Sequence, residues 1–66
     1  MIDKAVIAKR LVELRSDVPR ESIAKDIGVS LSALSMYETG QRIPRDEVKL
    51  AIARRYGKTV EEIFFA

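Results

Sequence analysis

Residues 20–40, RESIAKDIGVSLSALSMYETG, decide how this chain folds. Ile23, Ala24 and Ile27 recur at helical spacing, so one face of the first half is apolar. Gly28 follows at once, where a helix end wants a residue that tolerates a left-handed backbone. Val29 plugs the corner, and Ser30 stands where an N-cap belongs. The second half turns Leu34 and Tyr37 inward, and Gly40 closes it. The pattern predicts two short helices, about 20–27 and about 31–39, around a tight turn. Ala24 lies where the two come closest, and a larger side chain there would push them apart.

Outward from that stretch the same periodicity continues. A first helix is expected from about Lys4 to Arg15, with Asp3 as N-cap. Ile7, Leu11 and Leu14 form its inward stripe, and Lys4, Lys9, Arg10 and Glu13 its wet side. Ser16-Asp17-Val18-Pro19 is a short connector, and proline suits the first turn of the helix that follows. On the other side, Gln41-Arg42-Ile43-Pro44 reads as a loop before a helix from about Arg45 to Tyr56, with Val48, Ile52 and Tyr56 inward. Gly57 ends that helix. Thr59 then caps a last one, Val60 to Phe65, and Thr59-x-x-Glu62 has the spacing of a capping box. Ile63 and Phe64 are expected in the core.

At 66 residues the chain is read as one domain, 1–66, near the lower limit for folding without a metal or disulfide. It has no Cys and no His, which excludes a disulfide, a zinc site built on those residues and an imidazole base. No apolar run approaches the ~18 residues of a membrane span, and no signal-peptide core is present. The expectation is a cytoplasmic domain without a separate effector domain. The net charge of +2 says little by itself. Its distribution says more: residues 44–58 hold Arg45, Lys49, Arg54, Arg55 and Lys58 against Asp46 and Glu47, while residues 20–43 are neutral. Attraction to phosphate is therefore modest, and lies beside the central stretch rather than on it.

The spacing of Ala24, Gly28, Val29, Leu34 and Tyr37 resembles the helix-turn-helix of the phage-repressor-like (lambda repressor/Cro type) DNA-binding family. Leu14-Arg15, Tyr37-Glu38-Thr39-Gly40, Pro44 and Thr59-Val60-Glu61-Glu62-Ile63-Phe64 extend the likeness over nearly the whole chain. The resemblance implies an all-α, compact five-helix bundle. It also implies double-stranded DNA as partner, and a repressor that binds an inverted repeat as a homodimer. No cofactor and no small-molecule ligand are expected.

Residue by residue, the likeness implies that Arg15 pairs with Glu38 at the end of the recognition helix. Leu31, Ser32, Ser35 and Met36 match the family's base-facing positions, and helical periodicity also points them outward. Arg20, Ser30, Ser32, Thr39 and Arg42 match places where the family touches phosphate. Lys58, Thr59 and the last helix correspond to the dimer patch, with Phe65 the candidate for crossing the two-fold axis or for packing on the first helix. The chain departs from the pattern in four places. Pro19 stands where a Ser or Thr cap is usual and Arg20 where Gln is common, while Lys49 and Lys58 replace apolar residues. A lysine tolerates that by packing its stem and keeping its head in water.

The base-facing set contains no Arg, Asn or Gln, the side chains that best distinguish guanine or adenine. What remains is two hydroxyls, which can contact most bases, and two apolar groups suited to thymine methyls, so a T-rich site is expected, with part of the specificity from DNA shape or bridging water. An enzyme is not expected: neither Glu61-Glu62 nor Asp46-Glu47 can converge on one substrate, because adjacent helix residues do not face each other. Both acidic pairs suit a first helical turn instead. The alternative is a helical module that binds another protein through Leu31 and Met36 and does not bind DNA.

Overall fold

The computed structural model describes residues 3–66, which form five helices. They are α1 (Lys4–Arg15), α2 (Arg20–Ile27), α3 (Leu31–Glu38), α4 (Asp46–Tyr56) and α5 (Val60–Phe64). Each end has a visible local cause. The Asp3 carboxylate accepts from the Val6 amide at 3.0 Å and starts α1. Pro19 offers no side-chain cap, but its carbonyl accepts from the Ser22 and Ile23 amides and α2 winds from there. Ser30 Oγ accepts from the Ala33 amide at 3.0 Å. Thr59 and Glu62 form the full reciprocal capping box, and the Thr59 amide and hydroxyl hold the Glu62 carboxyl below the usual range.

The turn between α2 and α3 rests on Gly28, whose φ is +78°. The amides of Gly28 and Val29 both donate to the Ala24 carbonyl, at 2.9 and 3.0 Å. A Cβ on Gly28 would meet nothing within 4 Å, so the requirement for glycine there is conformational and not steric.

The helices wrap one core. α1 packs on α3 and α5, α2 on α3 and α4, and α4 on α5. Leu11, Ile23, Leu34, Ile52, Ile63 and Phe64 are its fully buried large side chains, each contributing on the order of 1.5–3 kcal/mol by leaving water. Ala24 is buried within this core.

Several boundaries and side chains differ from the sequence expectation. Helix α3 ends at Glu38, with Thr39 as its C-cap. Helix α4 begins at Asp46, with Arg45 as its cap. Helix α5 ends at Phe64, because Phe65 already leaves helical geometry. Leu14, Val48 and Tyr56 line the core half-buried rather than filling it. Lys49 is more covered than a wet head implies: its side chain is 12% exposed, with Nζ 3.8 Å from the exposed Asp46 carboxylate, 4.9 Å from the Phe65 ring centre and 5.7 Å from that of Phe64. The aromatic faces replace part of the lost hydration. Ser16 bends the connector at φ +56°, an uncommon backbone region for a residue other than glycine.

Candidate nucleic-acid interface

Helix α3 has two distinct sides. Leu34 and Tyr37 are buried against α1 and α2, and Glu38 joins them at its end. Opposite them, Leu31 and Ser32 are exposed, Leu31 at 44%. Ser35 and Met36 lie at the margin, half-buried rather than fully outward. The four residues predicted to face bases thus keep one accessible strip, with its N-terminal end the most open. Ser35 and Leu31 share a groove of about 350 Å³ with Arg15, Arg20 and Glu21.

The carboxylate of Glu38 anchors this helix. Its side chain has no exposed surface, and a charge so placed is costly unless it is paired. Arg15 Nε donates to Oε2 at 2.8 Å, as the resemblance implied. Arg15 also donates through Nη1 to the Val18 carbonyl, which fixes the connector. The hydrogen bond to Glu38 raises the Arg15 guanidinium above its ordinary value, and burial opposes that. Arg20 Nε takes the other oxygen, Oε1, at 2.9 Å. This second partner was not anticipated, although a buried carboxylate has two oxygens to satisfy and that was the available signal. Tyr56 was also missed here. Its hydroxyl is buried with no bond among the described residues, and burial first, then the Glu38 charge, pushes it above the ordinary tyrosine value.

The other polar candidates divide. Ser30 accepts an amide bond through its oxygen and keeps its own proton to donate. Thr39 spends its proton on the Ser35 carbonyl at 2.9 Å and accepts from Gln41 Nε2 at 3.0 Å, so it closes the helix. Arg42 is exposed in the loop after α3. Lys58, Thr59 and Phe65 are exposed at the far end of the chain. The Phe65 ring lies against Lys49 of α4, with Nζ 4.9 Å from its centre.

A helix-turn-helix family model matches residues 8–63 of the chain, which takes in all of α2 to α4, most of α1 and most of α5. The chain belongs to the helix-turn-helix family, of the lambda-repressor-like type. This family comprises DNA-binding transcription regulators and is generally non-enzymatic. No curated protein matches the chain. In this helix-turn-helix protein α2 and α3 pack on each other across the turn at Gly28. Among the described residues no helix is long and apolar enough to cross a membrane.

Proposed function

We propose that the protein is a transcriptional repressor that inserts α3 into the major groove of an inverted-repeat operator and binds it as a homodimer. The observation that carries this reading is the two-sidedness of α3. Its apolar residues and Glu38 are locked beneath it, while Leu31, Ser32, Ser35 and Met36 keep an accessible strip. A major groove about 12 Å wide admits one such helix, and α2 then crosses the backbone.

Leu31 and Met36 meet thymine methyls, and Ser32 and Ser35 donate or accept on base edges. Phosphates are held by Arg42, by the free protons of Ser30 and Ser32, and by the outer nitrogens of Arg20. Thr39 contributes less, because its proton is already used inside the helix. The exposed Lys58, Thr59 and Phe65 support a dimer patch at the end remote from α3, and Lys58 also lines a groove of about 410 Å³ with Leu14 and Ile63. Two copies would place their recognition helices about one turn, ~34 Å, apart.

Selection of bound sequences from random duplexes tests this directly. The expected outcome is a two-fold site, T-rich at contacted positions and tolerant elsewhere. A G-rich half-site with sharp preferences would contradict the assigned base contacts. The neutral, apolar-tipped strip favours one second reading, a module that binds another protein through Leu31 and Met36. Failure to retain any duplex in the selection supports that reading instead.

A further inference from the structure

We propose that the outer face of α4 is a self-association surface, on which a second copy of this chain seats its own α4 antiparallel. Helix α4 turns Ile52 and Ala53 into the core. Its outer side carries Glu47, Leu50 and Arg54, all exposed. Leu50, at 50%, is the most exposed large apolar residue among those described. The i, i+3, i+7 spacing puts the three on one stripe. Among the described residues neither Glu47 nor Arg54 has an ion-pair partner. An acid early in a helix and a base late in it suit the helix dipole. The dipole gives no reason for an exposed leucine between them.

Two-fold symmetry supplies one. Antiparallel α4 helices, related by an axis between Leu50 and Ala51, set each Glu47 opposite Arg54 of the other copy and each Leu50 beside Ala51. The same register sets Asp46 opposite Arg55 and brings no like charges face to face. Parallel helices would set Glu47 on Glu47 and Arg54 on Arg54. Ala51 at the axis is small, so the helices can approach closely. The stripe is separate from the exposed patch at Lys58, Thr59 and Phe65. Lys49, whose Nζ lies 4.9 Å from the Phe65 ring centre, is ~200° round α4 from Glu47. One helix of 11 residues buries less than a permanent complex needs, so the contact is weak and reversible. It needs no DNA.

Glu47→Arg, Arg54→Glu and Leu50→Glu in the full chain are compared with the wild type by sedimentation equilibrium at low salt. Each charge reversal turns two attractions into two repulsions, and is expected to weaken self-association about tenfold or more. An equimolar mixture of the two reversed chains pairs each changed residue with its opposite charge, and is expected to regain the wild-type association. Leu50→Glu sets carboxylates beside the axis and is expected to abolish association, with no rescue by mixing. Thermal unfolding of each variant reports its folding separately, and an unfolded chain could not be rescued by its counterpart. The series is repeated with Phe65→Ser added to every chain, which removes the end patch, and the same pattern is expected. A mixture no more associated than its components overturns the proposal. So does unchanged association in either reversal, a wild type that stays monomeric, or association that Phe65→Ser alone abolishes. None of these readouts uses DNA, so failure here leaves the DNA reading standing.

Discussion

Two arginine–carboxylate bonds in this protein have the same length and different worth. Arg15 Nε reaches Glu38 at 2.8 Å, and Arg55 Nε reaches Asp26 at 2.8 Å. The first carboxylate has no exposed surface and its arginine 14%, whereas the second pair is 47% and 37% exposed. In water a broken pair is re-solvated at little cost, and exposed pairs contribute about 0.2–1 kcal/mol. In the interior a lost partner leaves a charge with nowhere to go. Distance alone therefore ranks nothing; the fate of the group left behind does. The consequence is also architectural. The buried cluster joins α1, α2 and α3, and so fixes the end of α3, while the exposed pair only links α2 to α4.

The largest effect should follow from Glu38→Ala, which strands Arg15 against the core. Denaturant unfolding is expected to show a loss of about 3–5 kcal/mol, the cost of breaking a buried pair. A loss under about 1 kcal/mol would mean that both arginines simply swing into water, and the contrast between the two bonds would collapse. Tyr56→Phe probes the same buried corner from the other side. The hydroxyl it removes is buried without a partner among the described residues, so the variant should match the wild type or exceed it by up to ~1 kcal/mol at neutral pH. The sign with pH follows from the raised pKa. Folding disfavours the phenolate, so the hydroxyl costs stability as pH rises above its ordinary value of 10, and Tyr56→Phe should lose less on the alkaline side. Equal alkaline sensitivity in the two proteins would show that the group is not held in its neutral form. The smallest effect should be Asp26→Asn, about 0.2–1 kcal/mol at low salt and less at high salt.

Much of this architecture was legible because it is written in local chemistry. Asp3, Ser30 and Thr59 cap helices with their own side chains, and Gly28 and Gly57 end them at positive φ. Those signals act within four residues of the chain, and the helix limits read from them fell within a residue or so. The pairing of Arg15 with Glu38 was legible only through family resemblance, since 23 residues separate the partners. Arg20 shows the limit. As a first-turn arginine at an accessible helix start it reads as a phosphate ligand, and only the three-dimensional crossing of α2 with the end of α3 puts Glu38 within reach. Lys49 shows another. The family resemblance implied that its stem packs, but the aromatic cover comes from Phe64 and Phe65 on a different segment, whose angle no local pattern encodes. The positive φ at Ser16 had no local signal either, since serine does not favour that region.

The strip of α3 divides the same way. Its inward residues were fixed by spacing, whereas Ser35 and Met36, which spacing points outward, are half-covered. The wheel knows only the helix's own axis.

The account as a whole stands on α3 reading duplex DNA while its flanks hold phosphates. The most direct measurement is the affinity of the intact chain for a mixed-sequence duplex between about 50 and 200 mM salt, the range over which phosphate contacts lose their counterion-release advantage. The predicted result is a straight fall of log affinity with log salt, at a slope that shrinks by ~0.9 when Arg42 is replaced by Met. Retention that is absent, or that does not change with salt, would contradict it.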